Sequence, residues 1–219
     1  RSYDGVLVHS APDLVPLERS WPVSDTLARQ LHYTGFVAPA APPFGAHPHG
    51  AIVVSAGGGA VGEAVFAAAC DAARMTPDQP WLLLVGGDQP RRDGMAASAP
   101  GNVTISPPRP DFRALLLGAR ASVSMCGYNT ALDVLQTGVR AVLVPFDDGG
   151  EVEQGLRAEA LGAQAGIGVL RQSAVSGPAL AQALRTVDSA APRAPRTKGM
   201  DGAAQSVAIA HDMWARHAP

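Results

Sequence analysis

The strongest constraint on this chain is the character of three short runs, "AIVVS" (51–55), "WLLLV" (81–85) and "AVLVP" (141–145). None of them alternates apolar with polar residues, so none has a face suited to water. A strand apolar on both faces belongs in a parallel sheet with helices packed on each side. Three further segments read as strands: "NVTIS" (102–106), "ASVSM" (121–125) and "GIGVL" (166–170). Helical patterns fall between or after them near 60–73, 111–119, 129–137, 152–162 and 178–187, with a last one near 202–217. Strand and helix in alternation, with short connections, predict an α/β fold built on a doubly wound parallel sheet.

Residues 1–50 differ. "YDGVLVHS" reads as a strand, but prolines at 39, 42, 43 and 48 forbid a central strand and disfavour helix. We read this region as a connector, with a domain boundary at 45–50 and one domain over 51–219. "PRAPRTKGMDG" (192–202) reads as a second loop, a mobile one. The chain starts at Arg1 and not at Met, from which we expect a piece of a longer protein.

Composition removes several functions. A formal net charge of −2 over 219 residues, with no basic run, argues against nucleic acid as a partner. Lys198 is the single lysine, so there is no Gly-Lys-Ser/Thr phosphate loop. Cys70 and Cys126 form neither a disulfide framework nor a zinc spacing, which fits the reducing cytoplasm. No run approaches the roughly 18 apolar residues of a membrane span, and no signal peptide is visible.

Two glycine-containing turns come directly after strands. Gly57, Gly58, Gly59 and Gly62 come after 51–55, where absent Cβ atoms would let the backbone approach an anion. Their spacing is close to G-x-G-x-x-G, with Asp88 as companion acid in a dinucleotide version; the alternative is a plain strand-to-helix turn that binds nothing. The second turn lies in "SMCGYNTALDVLQTG" (124–138), where Gly127 succeeds a strand and opens a helix. Thr130 and Asp133 have capping-box spacing, so one reading is a self-capped helix. The other is a ligand site, because the free N–H groups of a helix start carry partial positive charge.

Around that stretch, over about residues 33–218 and most specifically over 124–162, the chain resembles the carboxyl-terminal half of family 28-type glycosyltransferases, a family that includes the lipid II-forming N-acetylglucosaminyltransferase. The residues in register are Gly127, Thr130, Asp133, Gly138, Val144-Pro145-Phe146, Gln154 and Arg157-Ala158, with "YTGFV" (33–37) and "SAGGG" upstream. The resemblance implies one Rossmann-like half of a GT-B fold, with 1–50 as the tail of the amino-terminal domain plus linker. It also implies a metal-independent, inverting transferase using a nucleotide diphosphate sugar, with UDP as nucleotide and no cofactor. Gly127 and the N–H groups of Tyr128, Asn129 and Thr130 would then hold the pyrophosphate. Asp133 stands where the family has a ribose-binding glutamate, one methylene longer. Gln154 and Glu153 would meet the sugar, the 57–59 glycines would line the donor site, and Arg109 in "PPRPDF" would border the base. The acceptor, the catalytic base and any contact with the inner face of a membrane would belong to the missing amino-terminal domain, so that this piece alone binds donor and transfers nothing. Rival readings are an epimerase or hydrolase using Asp88, Asp133, Glu151 or Glu153, and a non-catalytic nucleotide-sugar sensor.

Among other residues, His47 and His49 read as solvated linker, and none of the six histidines accompanies a nucleophile elbow. Cys126 reads as a packed thiol, although the adjacent helix start would lower its pKa. Val207, Ile209, Met213 and Trp214 read as an apolar stripe on the last helix, in the core or at a domain contact.

Overall fold

The computed structural model describes residues 3–43, 49–56, 60–146 and 152–217. In chain order the first elements are β1 (Val6–Val8), α1 (Asp25–Ala28), β2 (Leu31–Tyr33), β3 (Ile52–Ser55), α2 (Ala60–Arg74), β4 (Trp81–Leu84), α3 (Gln89–Ser98) and β5 (Val103–Ser106). Then come α4 (Phe112–Gly118), β6 (Ala121–Ser124), α5 (Tyr128–Thr137), β7 (Ala141–Leu143), α6 (Glu153–Gly162), β8 (Ile167–Val169), α7 (Gly177–Ser189) and α8 (Gly202–His217). They group into two compact units, Arg1–Ala41 with Thr197–Pro219, and Pro42–Arg196. The last helix, read from sequence with the larger domain, therefore belongs to the smaller unit.

The larger unit is a six-stranded sheet in the order β5-β4-β3-β6-β7-β8, with every pair parallel. Counted from β3, the strands leave the centre first to one side and then to the other, so the winding reverses between β3 and β6. Both faces are covered. Ile52 and Val54 join Val65, Phe66, Ala69 and Ala72 of α2 and Leu180 and Leu184 of α7 in one cluster. Val53 between them is also fully buried, and since side chains alternate along a strand, it faces the opposite layer. Each such aliphatic side chain contributes about 1.5–3 kcal/mol on burial. Alanines at 68, 69, 72 and 73 let α7 come close to α2; a Cβ on Gly177 would lie 2.5 Å from the Asp71 Cβ and 3.1 Å from the Ala72 nitrogen.

All six predicted strands of the larger unit are present, one or two residues shorter. The helix α3, however, has no counterpart in the sequence reading. None of its residues is buried, so it carries no apolar period. Its start signal was local: Asp88 is the N-cap, accepting from the Arg91 N–H at 3.1 Å, with Pro90 in the first turn. Asp88 is therefore a helix cap. His49 is exposed, as read, and its ring also bonds the backbone: Ala51 N donates to its Nδ1 at 3.2 Å and its Nε2 bonds Leu115 O at 2.9 Å; His47 lies outside the described residues.

The predicted mobile loop is tied down instead. Arg196 N donates to Leu135 O at 2.8 Å, and Arg193 Nη2 donates to Val134 O and Val139 O at 3.1 and 2.9 Å. Gly138 makes that approach possible: it ends α5 at φ 71°, and a Cβ there would sit 2.7 Å from the Arg193 carbonyl oxygen.

In the smaller unit β1 and β2 pair in parallel, and Val37 bridges Asp201. Phe36 N donates to Gly199 O at 2.8 Å and Gly202 N to Phe36 O at 2.9 Å, which ties Phe36 to the residues that lead into α8. Ile209 and Met213 are half-buried, whereas Val207 and Trp214, seven residues apart on a second face, are 71% and 70% exposed. The four residues are thus two stripes, and only one is packed.

Gly138→Ala should lower stability by about 1–3 kcal/mol, through the left-handed backbone and the clash with the Arg193 carbonyl. Gly155→Ala, in α6 with open space around its Cβ position, should be neutral or stabilising by up to about 1 kcal/mol. Denaturant unfolding of both variants checks the pair, and equal effects would remove the steric account.

Candidate functional site

In a doubly wound sheet the crevice for ligands lies outside the carboxyl ends of the strands, where the winding reverses. Here β3 and β6 flank that point, and Gly127, the N-cap of α5, lies three residues past the end of β6. Its backbone sits at φ −62° and ψ 158°, extended geometry open to any residue. A Cβ added there would meet nothing within 4 Å. Neither conformation nor packing demands glycine at this position. What its absent side chain does is leave space in front of the first turn of α5, whose N–H groups have no acceptor within the helix.

The self-capped reading of this helix does not hold. The N-cap is Gly127, which has no side chain to cap the helix, and Thr130 falls on the third helical residue, too late to act as a cap. Asp133 pairs with Arg113 of α4, Oδ1 to Nε at 2.9 Å. Arg113 Nη2 also donates to Gln136 Oε1, so its guanidinium spans two residues of α5. The Asp133 side chain is 14% exposed. Burial pushes its carboxyl above the ordinary range, and Arg113 opposes that shift without reversing it.

Arg157 of α6 fastens the turn from the other side. Its Nη1 donates to Cys126 O at 2.9 Å, and its guanidinium lies 5.8 Å from the centroid of the Tyr128 ring. Glu153, 71% exposed, stands 3.7 Å from Arg157. Gln154 Oε1 accepts from Phe146 N at 3.2 Å, so this side chain braces the exit of β7. Asn129 is exposed, and Tyr128 and Thr130 are half-buried. Beyond β5, Arg109 forms a two-bond fork with Asp111 at 2.8 and 2.6 Å. Gly57, Gly58, Gly59, Asp147, Asp148 and Glu151 lie outside the described residues.

Two members of this constellation were not legible as such. Arg157 stood in the motif, but its hold on the Cys126 carbonyl spans 31 residues. Arg113 gave no signal, since its partner is 20 residues away on another helix. A cavity of about 120 Å³ lies at the opposite, amino end of the strands, lined by Ile52, Trp81, Ala121, Gln79, Arg120 and Asp188. Its polar groups serve one another: Arg120 Nη2 bonds Asp188 at 2.7 Å and Nη1 bonds Gln79 at 2.6 Å. Among the described residues no three His, Cys, Asp or Glu groups could together hold a metal, and no helix is long and apolar enough to cross a membrane.

The family described as Glycosyltransferase family 28 C-terminal domain matches residues 82–212. No curated protein sequence matches the chain. Among solved structures, the calicheamicin glycosyltransferase CalG4 is 17% identical with a TM-score of 0.64, over 100% of this chain and 54% of that one. The spinosyn rhamnosyltransferase SpnG complexed with thymidine diphosphate is 19% identical with a TM-score of 0.60, over 98% of this chain and 54% of that one. MurG of Acinetobacter baumannii is 19% identical with a TM-score of 0.54, over 84% of this chain and 64% of its own. At these identities the likeness establishes the fold, a Rossmann-like half of a GT-B structure. The chain spans about half the length of CalG4 and SpnG.

Cys126 decides between helix dipole and burial. The dipole favours a thiolate by roughly 1 kcal/mol, but the residue is fully buried and its thiol is pushed up to about 11, with Arg157 pulling weakly the other way. The thiolate fraction at pH 7.5 is on the order of one part in a thousand or less. Alkylation of the native chain should therefore spare Cys126 until denaturant is added; rapid labelling in the folded state would contradict the burial argument.

Proposed function

We propose, from the premise that the chain belongs to the glycosyltransferase family 28 C-terminal domain family, that it is the donor-binding half of a glycosyltransferase. The observation that carries this reading is Gly127: a residue free of backbone and packing demands, holding open the space before the start of α5. A nucleoside diphosphate sugar would lay its diphosphate there against the N–H groups of Tyr128, Asn129 and Thr130. Magnitudes separate the contributions. A helix start attracts an anion by about 0.3–2 kcal/mol through its dipole, whereas each hydrogen bond to a charged group adds about 1.5–3 kcal/mol. Direct N–H bonds therefore dominate, and the dipole supports them.

The same contacts serve the reaction. As the bond between sugar and diphosphate breaks, negative charge grows on the leaving oxygen, and preorganised N–H donors stabilise it without reorganising. Departure of the diphosphate without a metal, attack with inversion, and a pyrimidine nucleotide are parts of this proposal. The resemblance points to uridine, and the SpnG complex contains thymidine diphosphate. Arg157 holds the Cys126 carbonyl, so it acts as a positioning residue for the turn. Gln154 and Glu153, on the first turn of α6, border the sugar in this reading, and Arg109 borders the base. We assign the acceptor site and the catalytic base to a second, facing domain, which would also determine any association with a membrane surface.

An epimerase or hydrolase on this fold would need acids free for proton transfer. Of the acids that alternative draws on, Asp88 caps α3, Asp133 is paired with Arg113 and Glu153 stands 3.7 Å from Arg157, while Glu151 lies outside the described residues.

Titration calorimetry of the full chain with UDP and with dTDP tests the reading. Gly127→Val should weaken nucleotide binding at least about tenfold, roughly 1.4 kcal/mol, while unfolding free energy falls by no more than about 1 kcal/mol, the cost of an apolar residue at an N-cap. Undiminished affinity in the variant would remove the α5 start as the diphosphate site.

A further inference from the structure

Within the donor-binding reading, one residue stands at the position assigned to the nucleoside's ribose, and its carboxylate is already engaged. Reading a ribose diol requires carboxylate oxygens that face the ligand and accept from both hydroxyls. Asp133 offers a carboxylate only 14% exposed, with Oδ1 2.9 Å from Arg113 Nε. Arg113 is itself only 20% exposed and is anchored a second time on Gln136, which is 3% exposed. The clamp therefore joins α4 to α5 through a shielded ion pair and a buried amide. Turning Asp133 toward a ligand would give up an ion pair for a bond to a neutral hydroxyl and would move a counter-charge away from a shielded guanidinium. The aspartate has one methylene between backbone and carboxyl, so while it pairs with Arg113 its reach is shorter than a glutamate's.

We infer that this site does not read the 2′-hydroxyl, and that Arg113 sets this specificity by holding Asp133 back, so that 2′-deoxynucleoside diphosphates and their sugars are taken as readily as ribonucleotide ones. The inference rests on the donor-binding reading. The withdrawal of the carboxyl from water agrees with the upward push that burial gives its pKa.

The probes are UDP and dUDP, which differ only in the 2′-hydroxyl, and dTDP, which adds only the base methyl group to dUDP. For the full chain, calorimetric dissociation constants for UDP and dUDP should agree within about threefold. A site built on a hydrogen bond to that hydroxyl would reject the analogue by tenfold to many thousandfold. Arg113→Gln keeps a polar side chain against Gln136 and releases Asp133; in this variant UDP should gain at least about tenfold over dUDP. The wild-type comparison needs no variant, so a folding defect in Arg113→Gln leaves the main result standing. A tenfold or greater preference of the unmodified chain for UDP overturns the inference and leaves the donor-binding reading intact. Equal binding in both proteins overturns the role given to Arg113. Failure of all three nucleotides to bind sinks the donor-binding reading and this inference together.

Discussion

Four residues of β3 pair in parallel with four of β6, from Ile52 with Ala121 to Ser55 with Ser124, and the rest of the larger unit depends on that pairing. Parallel neighbours cannot be joined by a hairpin, so the chain must cross over between them, and the crossovers are helices. Those helices bury both faces of the sheet, which is why Val53, Val54, Val123 and Val142 are all without exposure. Each helix runs back against its strand and so begins at the carboxyl edge. The start of α5 is therefore brought to the winding reversal by the topology, before any polar side chain contributes.

What the side chains add is stiffness around that opening, and arginine supplies most of it. The chain has sixteen arginines and one lysine, and a planar fork with five donors suits backbone carbonyls better than a single ammonium. Arg157 holds Cys126 O before α5, and Arg193 holds Val134 O and Val139 O at its far end. The latter cation sits where the helix dipole is negative, and its burial lowers its pKa. Arg91 and Arg140 fasten Gly86 O and Ala190 O in the same manner, at 2.9 and 3.2 Å. One helix is thus held at both ends by guanidinium groups.

Legibility in the sequence depended on the range of the interaction. Strands apolar on both faces announce themselves within five residues, and the paired cap Asp88 with Pro90 would have revealed α3 to a reader looking for caps and not for apolar periods. Thr130 and Asp133 show the opposite failure. Their spacing imitates a capping box, but the box requires threonine at the N-cap, and the fold places Gly127 there. The family motif pointed to the turn at Gly127, which is the N-cap of α5. It did not show that Gln154 would brace Phe146 or that Arg109 would close on Asp111.

By itself the sequence determined the class of fold, the parallel sheet, the glycine at the head of α5 and the family, because each is written in short-range patterns of hydrophobicity and in spacings along one segment. Only the tertiary structure decided that the last helix joins the first unit, that residues 192–196 strap the end of α5, and that Asp133 answers to Arg113. Those outcomes turn on which distant groups meet in a shielded setting, and charge pairing and close backbone approach act through space without leaving a period in the chain.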